Sequence, residues 1–98
     1  MTPSHTVAAQ LRTARVLQSL LTLAQRHNLP AACWHISDIY PGTVEAFLPH
    51  RDEASLIAWA TTLGSEIDWT RHDSIRPQTI FMCERVTVRI WTTVGDHP

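Results

Sequence analysis

The sequence predicts an α+β fold, a two-layer sandwich in which two helices pack on one face of an antiparallel sheet in the order αββαβββ. A segment with apolar residues at helical spacing precedes short alternating stretches that are typical of strands, and the chain then repeats this order. It ends on one more alternating stretch, VTVRIWTTV. The length of 98 residues is close to the commonest size of one domain. We therefore expect a single domain over residues 1–98.

The first helix is expected over residues 4–27. Ser4 after Pro3 is a suitable N-terminal cap, while Asn28 suits the left-handed position that ends a helix and Pro30 prevents its continuation. At roughly 100° per residue, the apolar side chains fall into two stripes. The larger stripe, which we assign to the core, consists of Val16, Leu17, Leu20, Leu23 and Ala24.

The second stripe of this helix consists of Val7, Leu11 and Ala14. A helix that faces one core needs only one stripe. One explanation is an irregular first turn or two. The other is that this half of the helix packs against a second surface, most simply another copy of the chain, and it makes these three residues candidate dimer contacts.

The second helix is expected over residues 52–63. Asp52 and Glu53 favour its positive N-terminal end, and Gly64 ends it. We assign Trp59 to the margin of the core, where its indole N–H reaches water. The core-facing stripe consists of Leu56, Ile57, Ala60 and Leu63.

The strands are expected to leave one sheet face uncovered, because a two-layer sandwich covers only the other. Residues 32–48 form two strands around Pro41-Gly42, and we assign the aliphatic sets, Ile80 and Met82 among them, to the helix side. The uncovered face then carries Cys33, His35, Glu45, Phe47, Phe81, Cys83, Arg89 and Trp91. From these we take as candidate binding residues His35, Glu45, Phe47, Phe81, Arg89 and Trp91.

Three interpretations of this face remain open. Aromatic and arginine side chains at the centre of an exposed patch are typical of protein interfaces, and a homodimer is the commonest case. Aromatic side chains on a sheet also stack nucleic-acid bases, which makes a small dimeric regulator that contacts nucleic acid the alternative. The third interpretation is that one strand is a residue out of register, which would turn its side chains inward.

Composition narrows the choice of partner. The formal charge of -1 and a pI near 6.6 indicate no excess of basic side chains that would attract nucleic acid or anionic lipid. The chain has no lysine, so arginine supplies its permanently charged basic side chains. The planar guanidinium group of arginine is suited to carboxylates and phosphates. No stretch reaches the roughly 20 apolar residues that span a bilayer. We expect a cytoplasmic protein that binds another protein, including itself, and neither nucleic acid nor membrane.

The sequence shows no complete catalytic or metal-binding motif. Cys33 and His35 share one side of a strand and Cys83 is a possible third ligand, but the usual spaced Cys/His pairs are missing. No third residue orients a Cys–His pair for nucleophilic catalysis. The irregular stretch 71–78 is a strand connection or a binding loop. We expect no metal, no cofactor and no enzymatic activity.

Three segments carry a resemblance to known proteins: LPAACWHISDIYPGTVEAFL, a helix that closes in WATTLG, and the final VTVRIWTTV. Together they resemble small alpha/beta proteins of actinobacteria and their phages or integrated elements, over residues 29–93. The glycine usual in those proteins before the last strand is replaced here by Glu84-Arg85. The resemblance implies a cytoplasmic accessory protein and lends no catalytic residue. We therefore expect a non-enzymatic protein-binding or adaptor protein associated with a phage or mobile element.

Overall fold

Two helices and five strands make up the part of the chain that the computed structural model describes, residues 7–36, 42–49, 51–69 and 77–94. The α+β class is therefore confirmed. In chain order the elements are α1 (Val7–His27), β1 (Cys33–Ile36), β2 (Thr43–Phe47), α2 (Glu53–Leu63), β3 (Ile67–Asp68), β4 (Gln78–Cys83) and β5 (Val86–Trp91).

The strands form one mixed sheet in the order β1-β2-β5-β4-β3. Three neighbouring pairs are antiparallel, but β2 and β5 run parallel. The prediction of an antiparallel sheet is therefore wrong at its centre. The physical reason is the long connection between β2 and β5, which contains α2, β3 and β4. A connection of this length allows a crossover, and parallel neighbours require one.

The buried core draws on both helices and on the two parallel strands. Val44 lies opposite Val88 in the register and Ala46 lies opposite Ile90, so these four side chains lie on the same face of the sheet. The buried cluster consists of Val16 and Leu20 of α1, Leu56 and Trp59 of α2, Val44, Ala46 and Leu48 in and after β2, and Val86, Val88 and Ile90 of β5.

Helix α1 ends where its sequence predicts. Asn28 adopts the left-handed conformation (φ 53°), and the N–H of Leu29 donates to the carbonyl of Ala24 at 2.8 Å. The predicted cap Ser4 lies outside the described residues. Thr13 is fully buried beside Val16, and its Oγ1 donates to the Ala9 carbonyl at 3.0 Å. That bond lets a hydroxyl sit in the core without an unmet hydrogen bond.

Helix α2 has the predicted ends. The side chain of Asp52 accepts a hydrogen bond from the N–H of Ser55 at 3.2 Å, which is the geometry of an N-terminal cap. At the other end Gly64 has φ 71°, a left-handed conformation that glycine adopts without steric cost. The N–H of Ser65 then donates to the carbonyl of Ala60 at 3.0 Å, which completes the end of the helix.

The core-facing side of α2 differs from the predicted stripe. Trp59 is only 1% exposed, whereas Ile57 is 48% exposed, so both assignments are wrong. The indole N–H of Trp59 donates to the carbonyl of Pro30 at 2.9 Å, and its ring meets Trp34 edge-to-face at 5.5 Å. Because a backbone carbonyl satisfies the indole, the ring does not need to reach water, and the helix is rotated to bury it.

A two-residue turn joins β4 and β5. Glu84 and Arg85 both have positive φ, 50° and 69°. Two-residue hairpin turns of this kind favour Asn-Gly, because residues other than glycine and asparagine are strained at positive φ. The turn is therefore tight despite the missing glycine, and it keeps conformational strain.

We expect the double substitution Glu84→Asn with Arg85→Gly to raise the free energy of unfolding by about 1–2 kcal/mol, because it removes this strain. Urea unfolding measures the change, and the melting temperature should rise by about 4–8 °C per kcal/mol in a domain of this size. A variant with unchanged or lower stability would contradict this account of the turn.

Candidate functional site

The second face of the sheet carries the candidate site. Side chains alternate along a strand, so the neighbours of the buried Val44, Val88 and Ile90 point to the opposite side. We call this side the outer face. Its members, read from the strand register, are Cys33, His35, Thr43, Glu45, Phe47, Asp68, Gln78, Ile80, Met82, Thr87, Arg89 and Trp91.

An aromatic pair lies at one end of the outer face. Phe47 of β2 is the register partner of Trp91 of β5. Their ring centroids are 4.6 Å apart at an interplanar angle of 60°, an edge-to-face contact. Phe47 is exposed and Trp91 is half-buried, so the pair is held in place and still presents ring surface to solvent.

A row of charged and polar side chains crosses the middle of the outer face. His35, Glu45 and Arg89 are successive register partners on β1, β2 and β5. The Nε of Arg89 is buried and has no hydrogen-bond partner among the described residues, which leaves a desolvated donor at the β5 end of the row. An unmet donor of this kind costs about 1–3 kcal/mol. The row therefore places a basic and an acidic side chain next to each other on adjacent strands.

Strand β4 adds two large aliphatic side chains to the outer face. Ile80 lies opposite Arg89, and Met82 lies opposite Thr87. They are 46% and 65% exposed. Sequence analysis assigned both residues to the helix side, and that assignment is wrong. The Oγ1 of Thr87 is 3.1 Å from the Met82 sulfur, a weak contact that leaves most of the thioether exposed.

Phe81, predicted on this face, lies on the other one. It is the register partner of the buried Val88, and it packs against the core together with Cys83. The interpretation in which one strand is a residue out of register therefore applies to β4. The signal in the sequence is the turn: a two-residue loop at Glu84-Arg85 pairs Cys83 with Val86, and so puts Phe81 beside Val88.

The other five predicted residues are brought together. They lie on three adjacent strands of the outer face: His35 on β1, Glu45 and Phe47 on β2, Arg89 and Trp91 on β5. Sequence analysis missed Ile80 and Met82, whose exposure follows from the corrected register of β4. The assembled surface has an arginine and a glutamate at its centre, an aromatic pair at one end and aliphatic side chains along β4.

The predicted dimer contacts on α1 are all exposed. Val7 is 78% exposed, Leu11 is 49% exposed, and Ala14 is exposed as well. The buried residues Thr13 and Val16 of the same helix fall on the side that is turned roughly 140–200° away from Leu11, at about 100° per residue. The second stripe of α1 therefore lies outside the buried core.

The candidate metal ligands are not gathered. Cys33 and Cys83 are free thiols on β1 and β4, with two strands between them, and they lie on opposite faces of the sheet. Within residues 7–36, 42–49, 51–69 and 77–94, no group of three or more His, Cys, Asp or Glu side chains could hold a metal ion. Residues 71–76 of the irregular stretch lie outside the described residues.

Neither of the two described helices combines the length and the hydropathy that a bilayer-crossing helix needs. Comparison with known proteins adds no relative to this picture: no protein-family model, no curated protein and no solved structure matches the chain.

Proposed function

We propose that this chain is a non-enzymatic protein-binding domain that uses the outer face as its contact surface and takes a second copy of itself as partner. The proposal includes the arrangement that both helices cover the opposite face. It is supported by the buried cluster, in which side chains of α1 and α2 join Val44, Val88 and Ile90. The observation that carries it is the group of exposed large side chains around Arg89.

The composition of the outer face favours a protein partner. Arginine, aromatic residues and methionine are enriched at the centres of protein interfaces, and all three kinds occur here in Arg89, Trp91, Phe47 and Met82. Exposed side chains of this size on a small domain usually mark an interaction site. A solvated sheet face would instead carry mostly small polar and charged side chains.

The central charges favour a second copy as the partner. In a twofold-symmetric contact, both copies use the same surface. If one residue contacts a second residue of the partner copy, that second residue also contacts the first residue of the partner, so the surface has to be complementary to itself. A twofold axis that runs along the strands between β2 and β5 would set Arg89 of one copy over Glu45 of the other, twice. The same operation would place the aromatic pairs of the two copies against each other.

The dimensions of the sheet set the expected affinity. Five strands spaced about 4.8 Å apart and about five residues long present roughly 400 Å² in projection. Stable interfaces usually bury about 800 Å² of accessible surface on each partner. We therefore expect a dimer of modest strength, with a dissociation constant in the micromolar range.

Substitution of Ile80 tests this surface. We expect Ile80→Arg to weaken self-association by at least about tenfold, because it places a second cation beside Arg89 in the contact. The matched control is Ile57→Arg, since Ile57 lies on α2 and is 48% exposed against 46% for Ile80. Sedimentation equilibrium over a concentration series measures the dimer constant, and thermal melting checks that both variants fold.

Three results would contradict the proposal. The first is a wild-type mass that stays monomeric up to high micromolar concentration. The second is a dimer that Leu11→Arg dissociates while Ile80→Arg does not, which would move the contact to the exposed stripe of α1. The third is salt-sensitive retention on heparin that Arg89→Ala abolishes and Arg12→Ala with Arg15→Ala leaves unchanged, which would favour the nucleic-acid regulator at the outer face.

A further inference from the structure

A groove lies between the N-terminal half of α1 and the turn that joins β4 and β5. It has a volume of about 530 Å³ and is lined by Ala8, Leu11, Arg12, Arg15, Glu84 and Arg85. None of these residues belongs to the outer face. The groove is therefore a separate surface, built where a helix passes close to a hairpin tip.

The charge of this groove is opposite to that of the chain. Among the described residues, three arginines and one carboxylate, that of Glu84, line it, whereas the whole chain has a formal charge of -1. Arg12 and Arg15 are three residues apart on α1 and therefore share one side of the helix. Planar guanidinium forks in this arrangement favour carboxylate or phosphate ligands.

The strained turn is what brings the third arginine to the groove. Arg85 has φ 69° and Glu84 has φ 50°, so both occupy positions where Asn-Gly would be less costly. A hydrogen bond two residues after Arg85 fixes the turn to the neighbouring strand: the N–H of Thr87 donates to the carbonyl of Gly42 at 2.8 Å. Residues kept in strained conformations cluster at binding sites, and here the strained turn contributes Arg85 to the groove that Arg12 and Arg15 also line.

The groove also has an apolar part that narrows the class of ligand. Leu11 is 49% exposed, and Ala8 beside it is exposed too. A nucleic acid requires an extended basic surface, and three arginines in one groove do not form one. A peptide that combines carboxylates with an aliphatic side chain matches both the arginines and Leu11.

We propose that this groove binds an acidic segment of a partner protein, with its carboxylates on Arg12, Arg15 and Arg85 and an aliphatic side chain against Leu11. The site gives Leu11 of the second stripe a role that does not depend on self-association. It stands apart from the sheet-face dimer, and Ile80→Arg is expected to leave it unchanged.

A fluorescein-labelled peptide of several glutamates around one leucine serves as the probe, with fluorescence polarisation as the measurement on the full chain. We expect saturable binding that Arg12→Ala with Arg15→Ala weakens by at least about tenfold, since each truncation removes a charge-assisted contact. The matched control is Arg26→Ala near the other end of α1, which should change the affinity less than about twofold.

The turn variant separates binding from folding. Glu84→Asn with Arg85→Gly should weaken peptide binding although it stabilises the protein, and Glu84→Asn alone should strengthen binding because it removes the competing carboxylate. The proposal would be overturned by equal binding of a lysine-for-glutamate peptide, by tighter binding of single-stranded DNA of similar length, by no saturable binding of the acidic peptide, or by an equal loss in Arg26→Ala.

Discussion

Trp59→Ala is expected to lower the free energy of unfolding by about 3–5 kcal/mol, the usual range for removal of a fully buried indole. Trp59 is 1% exposed, so its loss leaves a cavity at the centre of the core. It also removes the edge-to-face contact with Trp34 and the hydrogen bond to the Pro30 carbonyl. Because small domains are stable by only about 5–15 kcal/mol, the variant should lose a large part of its stability.

Trp69→Ala is the matched control, since Trp69 is 46% exposed. We expect it to cost about 1–2 kcal/mol, clearly less than Trp59→Ala, because about half of the side chain is already in water. Urea unfolding followed by circular dichroism compares the two variants. Similar stability losses in both would contradict the assignment of Trp59 as the central core residue of α2.

Charge reversal at the centre of the outer face is expected to have the largest effect on self-association. Arg89→Glu would place two carboxylates against each other at both symmetric contacts of the proposed dimer, and Glu45→Arg would place two guanidinium groups there. Like charges across an interface cost several kcal/mol. Each variant should therefore raise the dimer dissociation constant by at least about a hundredfold.

Arg26→Glu is the matched control for Arg89→Glu, because Arg26 is an exposed arginine in the last turn of α1 and does not belong to the outer face. It changes the net charge by the same amount as Arg89→Glu. We expect its dimer constant to remain close to that of the wild type. An equal loss in the control would assign the effect to net charge rather than to the outer face.

The helix ends were predictable because their chemistry is local. Asn28 and Gly64 adopt the left-handed conformation that their side chains allow, and Asp52 caps the helix that follows it. Each of these features depends on residues within four positions along the chain. The α+β class follows from the same kind of local pattern.

The parallel pairing of β2 with β5 was not predictable from local pattern. Thr43 and Thr87 are register partners although more than forty positions separate them in the numbering. Alternation of side chains marks a strand but does not say which neighbour it pairs with or in which direction. The burial of Trp59 has a similar cause, because its hydrogen-bond acceptor, the Pro30 carbonyl, precedes it by 29 residues.

The sequence assigned the outer-face residues of β1, β2 and β5 to the correct face of the sheet, but it assigned the residues of β4 to the wrong face. Glu45 and Arg89 were placed correctly because β2 and β5 alternate between buried and less buried positions, and His35 follows as the register partner of Glu45. In β4 the alternation is ambiguous, since Ile80 and Phe81 are both large and apolar. A one-residue shift exchanges the two faces of a strand, and only the two-residue turn at Glu84-Arg85 fixes the choice.

The most direct test of the proposed dimer is to mix the two charge-reversal variants. One copy with Glu45→Arg and one with Arg89→Glu would form opposite-charge contacts at both symmetric positions, so the mixture should dimerise although neither variant does alone. Sedimentation equilibrium of each variant and of the equimolar mixture measures this. The account predicts monomers for the separate variants and a heterodimer for the mixture. A mixture that remains monomeric at concentrations where the wild type dimerises would contradict it.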